Sequence, residues 1–336
     1  MKDNGPANVC TLSHANDVSM SGESGEVVKA SIKMLIERLN DRDPNLLEKY
    51  PLADFVKLME DASHRRGYQE ISGPIRKVSK EIARFAGEST LELYNRAVLL
   101  MLVCAMPEKI EVEKYTEQVR SLFITEMQRI VSELDSNKPG FYSFDNDLFC
   151  KDLAISTLRM FSVGVLKVEG HAGIPRRFLA VGGIRQLLRG ARVIGLLKGF
   201  YPYYEIHLDI RYRADFNPAG WDRALLNTAE MLKLHEQIKG MIGASWFFDP
   251  QIPYVSPHLT YLRQHIEENG GEFFYMKRDA RTTHLAISAS STRKKLYECG
   301  KYVPCSYMAI WPRGKMLQWA EREKSTRITL PSGEIG

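Results

Sequence analysis

The sequence predicts a mixed α/β protein, with an N-terminal helical bundle followed by a mixed sheet flanked by helices. Three observations carry this. From Val27 to about Ser136, apolar residues recur at helical spacing with few strand-like runs between them. Beyond about Phe161, short apolar or alternating runs take turns with helical ones, the pattern of a sheet with helices packed on it. And 44% of the 336 residues are apolar, enough to build a core without disulfides or metal.

Residues 1–26, rich in Ser, Gly, Asn and Asp, read as a flexible tail. A helical domain over 27–145 follows. Val28, Ile32, Leu35, Ile36 and Leu39 form one stripe, and Tyr115, Val119, Phe123, Met127, Ile130 and Leu134 another. The run Ala97 to Met106 is the most apolar, but far short of the roughly 20 residues of a membrane span, so it predicts a buried helix. Asn137 to Gly140 is a stop and a boundary. An α/β domain is expected over 150–325. Its elements are a helix from Asp147 to Phe161, a strand over Gly164–Val168, a helix over Ile184–Leu197 and a strand over Tyr203–Arg213. Asn217 and Pro218 then open a helix to Leu234, and Ile238–Phe248 reads as a buried strand. Ser256 and Pro257 open a helix that Asn269-Gly270-Gly271 closes. Phe273–Lys277 and Thr282–Ser288 read as strands, Ser290 or Ser291 caps a helix ended by Gly300, and Cys305–Trp311 and Lys315–Glu323 are a last strand and helix.

Composition narrows the function classes. Five cysteines (Cys10, Cys104, Cys150, Cys299 and Cys305) include no CxxC pair, which excludes a disulfide framework and a zinc ribbon and fits a reducing, cytoplasmic setting. The first 26 residues hold no apolar signal-peptide core, and no membrane span is expected.

The segment Tyr203–Arg213 alternates strictly. A strand there would put Glu205, His207, Asp209, Arg211 and Arg213 on one face, with alternate residues roughly 7 Å apart. An imidazole flanked by carboxylates is a competent general base, so Glu205, His207 and Asp209 are the candidate bases. The same face read as a solvated charge ladder carries no chemistry. His207, Asp209 and the distant His284 also match the donor types of a 2-His-1-carboxylate iron site, and with Arg293 nine residues on, the spacing is similar to that of iron and 2-oxoglutarate-dependent oxygenases.

The run Thr282 to Ser288, followed by Ser291 to Tyr302 with Leu296, Tyr297, Gly300 and Tyr302, resembles the strand–helix signature of GNAT acyltransferases. The resemblance implies a GNAT-like sheet and makes Tyr297 the acid that protonates a leaving thiolate. It also implies a loop, after a strand, whose backbone N–H groups hold a pyrophosphate at a helix N-terminus. Gln251 and Ser256 fit that loop, with Tyr254, Val255 and Ser256 supplying the N–H groups. Tyr254 and Pro253 depart from its small-residue pattern.

Basic residues cluster twice. Arg176, Arg177, Arg185, Arg189, Arg192, Lys198, Arg211 and Arg213 make one patch, and Lys277, Arg278, Arg281, Arg293, Lys294, Lys295 and Lys301 the other. Such fields attract phosphorylated or acidic partners, so Arg176, Arg177, Arg211 and Arg293 join the donor-binding candidates. The leading expectation is an enzyme that moves an acyl or aminoacyl group from a thioester or ester donor to a small-molecule amine. The donor would be acyl-CoA as co-substrate, an acyl carrier protein or aminoacyl-tRNA, with no tightly bound cofactor and no metal. The alternatives are the oxygenase through His207, Asp209 and His284, and a non-enzymatic adaptor for nucleic acid or an acidic partner.

Overall fold

The computed structural model describes residues 22–61, 67–134 and 138–329. Most of the tail expected over 1–26 lies outside them, as does Asn137, the first residue of the boundary expected over 137–140. The helical part comprises α1 (Gly22–Arg42), α2 (Leu46–Lys49), α3 (Leu52–Asp61), α4 (Gly73–Ala86), α5 (Glu88–Val112) and α6 (Glu117–Ser132). Thus residues 22–26, expected in the tail, are the first turn of a helix.

Helix α5 is the axis of the bundle, with α1, α3 and α4 packed on it. It is long and apolar enough to cross a membrane. Its apolar side chains are instead the core: Tyr94, Leu100, Leu102, Val103 and Met106 are fully enclosed. Burying a Leu or Met side chain stabilises by about 1.5–3 kcal/mol, so the Ala97–Met106 run is spent on packing.

The second part comprises α7 (Asp147–Ser156), β1 (Met160–Ser162), β2 (Leu166–Ala172), α8 (Phe178–Val181), α9 (Gly183–Leu196), β3 (Tyr203–Leu208), α10 (Pro218–Leu234) and β4 (Gly240–Ser245). Then come α11 (Ile252–Val255), α12 (Thr260–Glu268), β5 (Glu272–Lys277), α13 (Ala280–Ser288), α14 (Ser291–Glu298), β6 (Ser306–Pro312) and α15 (Arg313–Thr329). The strands form one mixed sheet in the order β1-β2-β3-β4-β6-β5. Only β3 and β4 run parallel, and α10 is their crossover. The mixed α/β class is therefore as the sequence predicts. One apolar core runs from the helical part into one face of the sheet, through Phe161, Val168, Tyr204, Met241 and Trp311. A second fills the other face beneath α8 and α9, around Phe178, Tyr203, Phe274 and Ile310.

Several caps sit where the sequence puts them. Asn217 accepts from Gly220 N at 3.0 Å and Ser290 from Arg293 N at 3.3 Å. Four expectations are corrected. The helix from Asp147 stops at Ser156, and Met160–Ser162 begins the sheet instead, turning at Gly164, whose φ of 114° only glycine adopts freely. The strand from Tyr203 ends at Leu208, not Arg213. Asp209 accepts from Arg211 N at 3.0 Å, and this Asx cap winds Ile210–Asp215 into a 3₁₀ helix. Likewise the strand in Ile238–Phe248 ends at Ser245, which caps a 3₁₀ turn over Trp246–Phe248. Lastly, Thr282–Ser288 is not a strand but part of α13. Asp279 accepts from Thr282 N at 2.7 Å, and Thr282 and Ala286, four apart, are the buried face. The β-branched residues there suggest a strand; the cap and the four-residue burial period decide otherwise.

Candidate functional site

The parallel pair β3–β4 parts. Its ladder holds Tyr204 against Met241 and Glu205 against Ile242, and ends there. Beyond it, His207 and Leu208 pair with β2 only, and Gly243–Ser245 with β6 only. Strands joined by a crossover thus cease to pair towards their C-terminal ends, the position at which open α/β sheets take ligands. Ile206 packs closely on Gly243: a Cβ there would lie 2.6 Å from its Cγ1.

Beside this opening the β2–β3 register sets Glu169 opposite Glu205 and Lys167 opposite His207. Directly opposed residues of an antiparallel pair have Cβ atoms about 4.5–5.5 Å apart. Glu169, Glu205 and His207 accordingly bring their oxygen and nitrogen atoms within 4.8 Å of one another. His207 Nε2 lies 3.5 Å from Glu169 Oε2, in an orientation that makes no hydrogen bond. Burial raises the Glu205 carboxyl above its ordinary range; the His207 ring opposes this and the Glu169 charge adds to it. Two carboxylates and an imidazole are also a donor set that a divalent cation can use.

The helical part supplies the cover. Tyr68 donates its backbone N–H to Glu169 Oε2 at 3.2 Å and meets the His207 ring edge-on at 4.7 Å. Its hydroxyl donates to Asp147 Oδ1 at 2.6 Å. Lys151 donates to Asp147 Oδ2 at 2.7 Å and to the Leu208 carbonyl, the end of β3, at 2.8 Å. Tyr68, Asp147, Lys151 and Glu169 were not legible as site residues from the sequence. The one signal was the Lys167-x-Glu169 alternation, which marks a polar strand face like that of β3.

Of the predicted bases, Glu205 and His207 come together. Asp209 does not join them. It is fully buried, gripped by Arg211 through Nε and Nη2, the latter at 2.7 Å. Burial would raise its carboxyl, but the Arg211 hydrogen bonds and charge hold it down at about 2. A permanently ionised, arginine-bound carboxylate is a poor base. Arg211, in turn, is no anion receptor, since it also holds Asp152 at 2.8 Å. Asp152 accepts from Arg129, Arg129 pairs with Glu126, and Glu126 accepts from Lys167 and Tyr212. This buried network locks α6, α7, β2 and the 3₁₀ turn together.

The expected pyrophosphate loop is also corrected. Residues 252–255 are a helical turn, and the N–H groups of Tyr254, Val255 and Ser256 are spent on Gln251, Gln251 and Ile252 carbonyls at 3.0, 3.2 and 2.8 Å. None is left for a phosphate. Arg293 is buried, stacked on Trp246 at 4.5 Å and donating to Ser256 Oγ at 2.9 Å and to the Ala286 carbonyl. Its neighbours Lys294 and Lys295 are exposed, as are Arg176 and Arg177 ahead of α8. The oxygenase triad does not converge. Both Asp209 oxygens accept from Arg211, and His284 lies on α13, lining a separate hollow of about 460 Å³ with Arg278, Asp279, Thr283, Ile287 and Tyr297.

No family model matches the sequence, and no curated protein matches it. Solved structures with a similar chain trace exist. One is an acyltransferase in complex with decanoyl-CoA and teicoplanin, at a TM-score of 0.49 and 13% identity over 89% of this chain and 91% of that one. Another is an acyltransferase in complex with CoA and 10C-teicoplanin, at 0.47 and 13% over 81% and 80%. A third is an acyltransferase mutant in complex with octanoyl-CoA, at 0.47 and 12% over 87% and 88%.

Proposed function

We propose that the chain is an acyltransferase that moves an acyl group from a thioester donor to an amine at the parting of β3 and β4, with His207 as the base. The observation that carries this reading is the coincidence of that opening with the Glu169–Glu205–His207 cluster. Two strand edges that leave a shared ladder are suited to an extended, amide-bearing arm, because main-chain groups freed from a ladder can pair with it as a further strand would. Coenzyme A and carrier-protein thioesters both present such an arm. His207 accepts the proton of the attacking amine as the new C–N bond forms, and the nearby Glu169 carboxylate stabilises the imidazolium that results. The C–S bond then breaks, the imidazolium gives its proton to the sulfur, and the thiol leaves. The half-buried setting keeps water from competing with the amine.

The test is thiol release from a series of acyl-CoA donors in the presence of a panel of primary amines. Amine-dependent release is expected. His207→Gln is expected to lower it by roughly 10²–10⁴-fold, the usual worth of a positioned base. Activity should survive EDTA, which separates a base from a metal ligand. Full activity in His207→Gln would overturn the assignment of the base; no release with any donor and amine would overturn the reaction class.

A further inference from the structure

Helix α9 lies over the second core, and its outward face is unlike the rest of the surface. Gly190, Val193 and Ile194 form the buried side, with Phe178 of α8 against Gly190. Ile184, Leu187, Leu188 and Ala191, at i, i+3, i+4 and i+7, make a second apolar stripe that points to solvent. Ile184 is 67% exposed, Leu188 65% and Leu196 72%. With Val181 and Tyr201 they are most of the large exposed apolar residues of the sheet-bearing part.

The charge carried by the segment itself has one sign. From residue 170 to residue 204 the chain holds no Asp or Glu, while it holds Arg176, Arg177, Arg185, Arg189, Arg192 and Lys198. Arg189 is turned back to the sheet, where it pairs with Glu272 at 3.2 Å and covers the Phe274 ring. Arg185 and Arg192 are exposed along one edge of the stripe. The exposed apolar residues of α9 are all aliphatic, whereas aromatic anchors concentrate the binding energy of protein interfaces.

An exposed aliphatic stripe edged by arginines, on an acid-free segment, fits an interface with apolar depth beneath a negative surface. We propose that α9 docks the chain on an anionic lipid surface. The helix would lie in the plane of the headgroups, with Ile184, Leu187 and Leu188 in the acyl boundary and Arg185 and Arg192 at the phosphates. This inference does not rest on the acyl-transfer reading.

The experiment is co-sedimentation of the full chain with vesicles of phosphatidylcholine, with and without phosphatidylglycerol. Binding is expected on the anionic vesicles, weakening as salt rises. Ile184→Asp with Leu188→Asp should abolish it. Arg185→Glu and Arg192→Glu should each weaken it by at least about fivefold. All four positions are exposed, so circular dichroism and the melting temperature should stay as in the parent chain. The proposal fails if the chain ignores anionic vesicles at low salt, or if the aspartate pair binds as well as the parent. It also fails if sedimentation shows a dimer that Leu188→Asp turns into monomer, for then a second copy covers the stripe.

Discussion

Arg211 grips Asp152 through a single nitrogen, Nη1, which lies 2.8 Å from Oδ1 and 3.0 Å from Oδ2. The pair joins the turn after β3 to α7, and Arg129, which also donates to Asp152, carries the link on to α6 of the helical part. Removing one partner of a buried pair leaves an uncompensated charge, which costs about 3–5 kcal/mol. Arg211→Met strands Asp209 and leaves Asp152 to Arg129 alone, and both carboxylates are almost fully buried. A loss of that size in urea unfolding is expected; a change below about 1 kcal/mol would mean that the network is not structural.

Asp209 supplies an acid signature. In the folded chain its carboxyl is held at about 2, below the 3.8 of a free aspartate, so folding favours the ionised form. That stabilisation is complete above about pH 4 and is lost as the pH falls towards 2. It is worth about 2 kcal/mol. Asp209→Asn should therefore be less stable than the parent chain at pH 7, and the gap should narrow across pH 4 to 2. A gap that stays constant through that window would assign the loss to other carboxylates.

How much of this could be read from the chain alone depended on whether a signal was local. Asn217-Pro218, Asn269-Gly270-Gly271 and Ser290 punctuate helices by chemistry confined to a few residues, and they sit where the sequence puts them. The alternation of Tyr203–Arg213 is just as regular, yet it is strand only to Leu208. The Asp209 side chain competes for the backbone there, and a two-residue period cannot reveal a cap in its own middle. Glu205 and His207 were legible because they share a strand face. Glu169 and Tyr68 were not, because β-register and the cover from the helical part bring them in from far along the chain. Arg293 shows the same limit from the other side: its neighbours Lys294 and Lys295 are exposed, and only the helix phase tells them apart.

That contrast makes a prediction. Arg293 holds Ser256, Ala286 and Trp246 together at a small apolar cluster of Trp246, Ile252, Ala286 and Tyr302. Arg293→Glu puts an anion where three groups need a cation, and should cost several kcal/mol, about the 3–5 of a broken buried charge contact. Lys294→Glu and Lys295→Glu, on the exposed face, should stay within about 0.5 kcal/mol. Melting curves of the three single variants decide it. Equal losses, or none, would contradict the burial of Arg293.

Tyr297 separates the sequence resemblance from the geometry. If it donated a proton to a leaving thiolate, its hydroxyl would need hydrogen-bond reach of the sulfur, while the base needs reach of the amine on the same carbon. Donor and base must then flank one carbon. The structure puts His207 on β3, which packs on β2 and β4, and Tyr297 on α14, which packs on α13 and α11. Among the described residues no hydrogen bond or ring contact joins them. Tyr297 is 37% exposed and lines the hollow with His284 and Arg278. Tyr297→Phe is therefore expected to keep turnover within about threefold, far from the 10²–10⁴ that a lost acid costs. Tyr297→Ala removes a partly exposed ring and should lower stability by no more than about 1–2 kcal/mol. The same two variants measured beside His207→Gln complete the argument. A loss of a hundredfold or more in Tyr297→Phe, at an unchanged melting temperature, would return the hydroxyl to the reaction and require α14 to move towards β3 when the substrates bind.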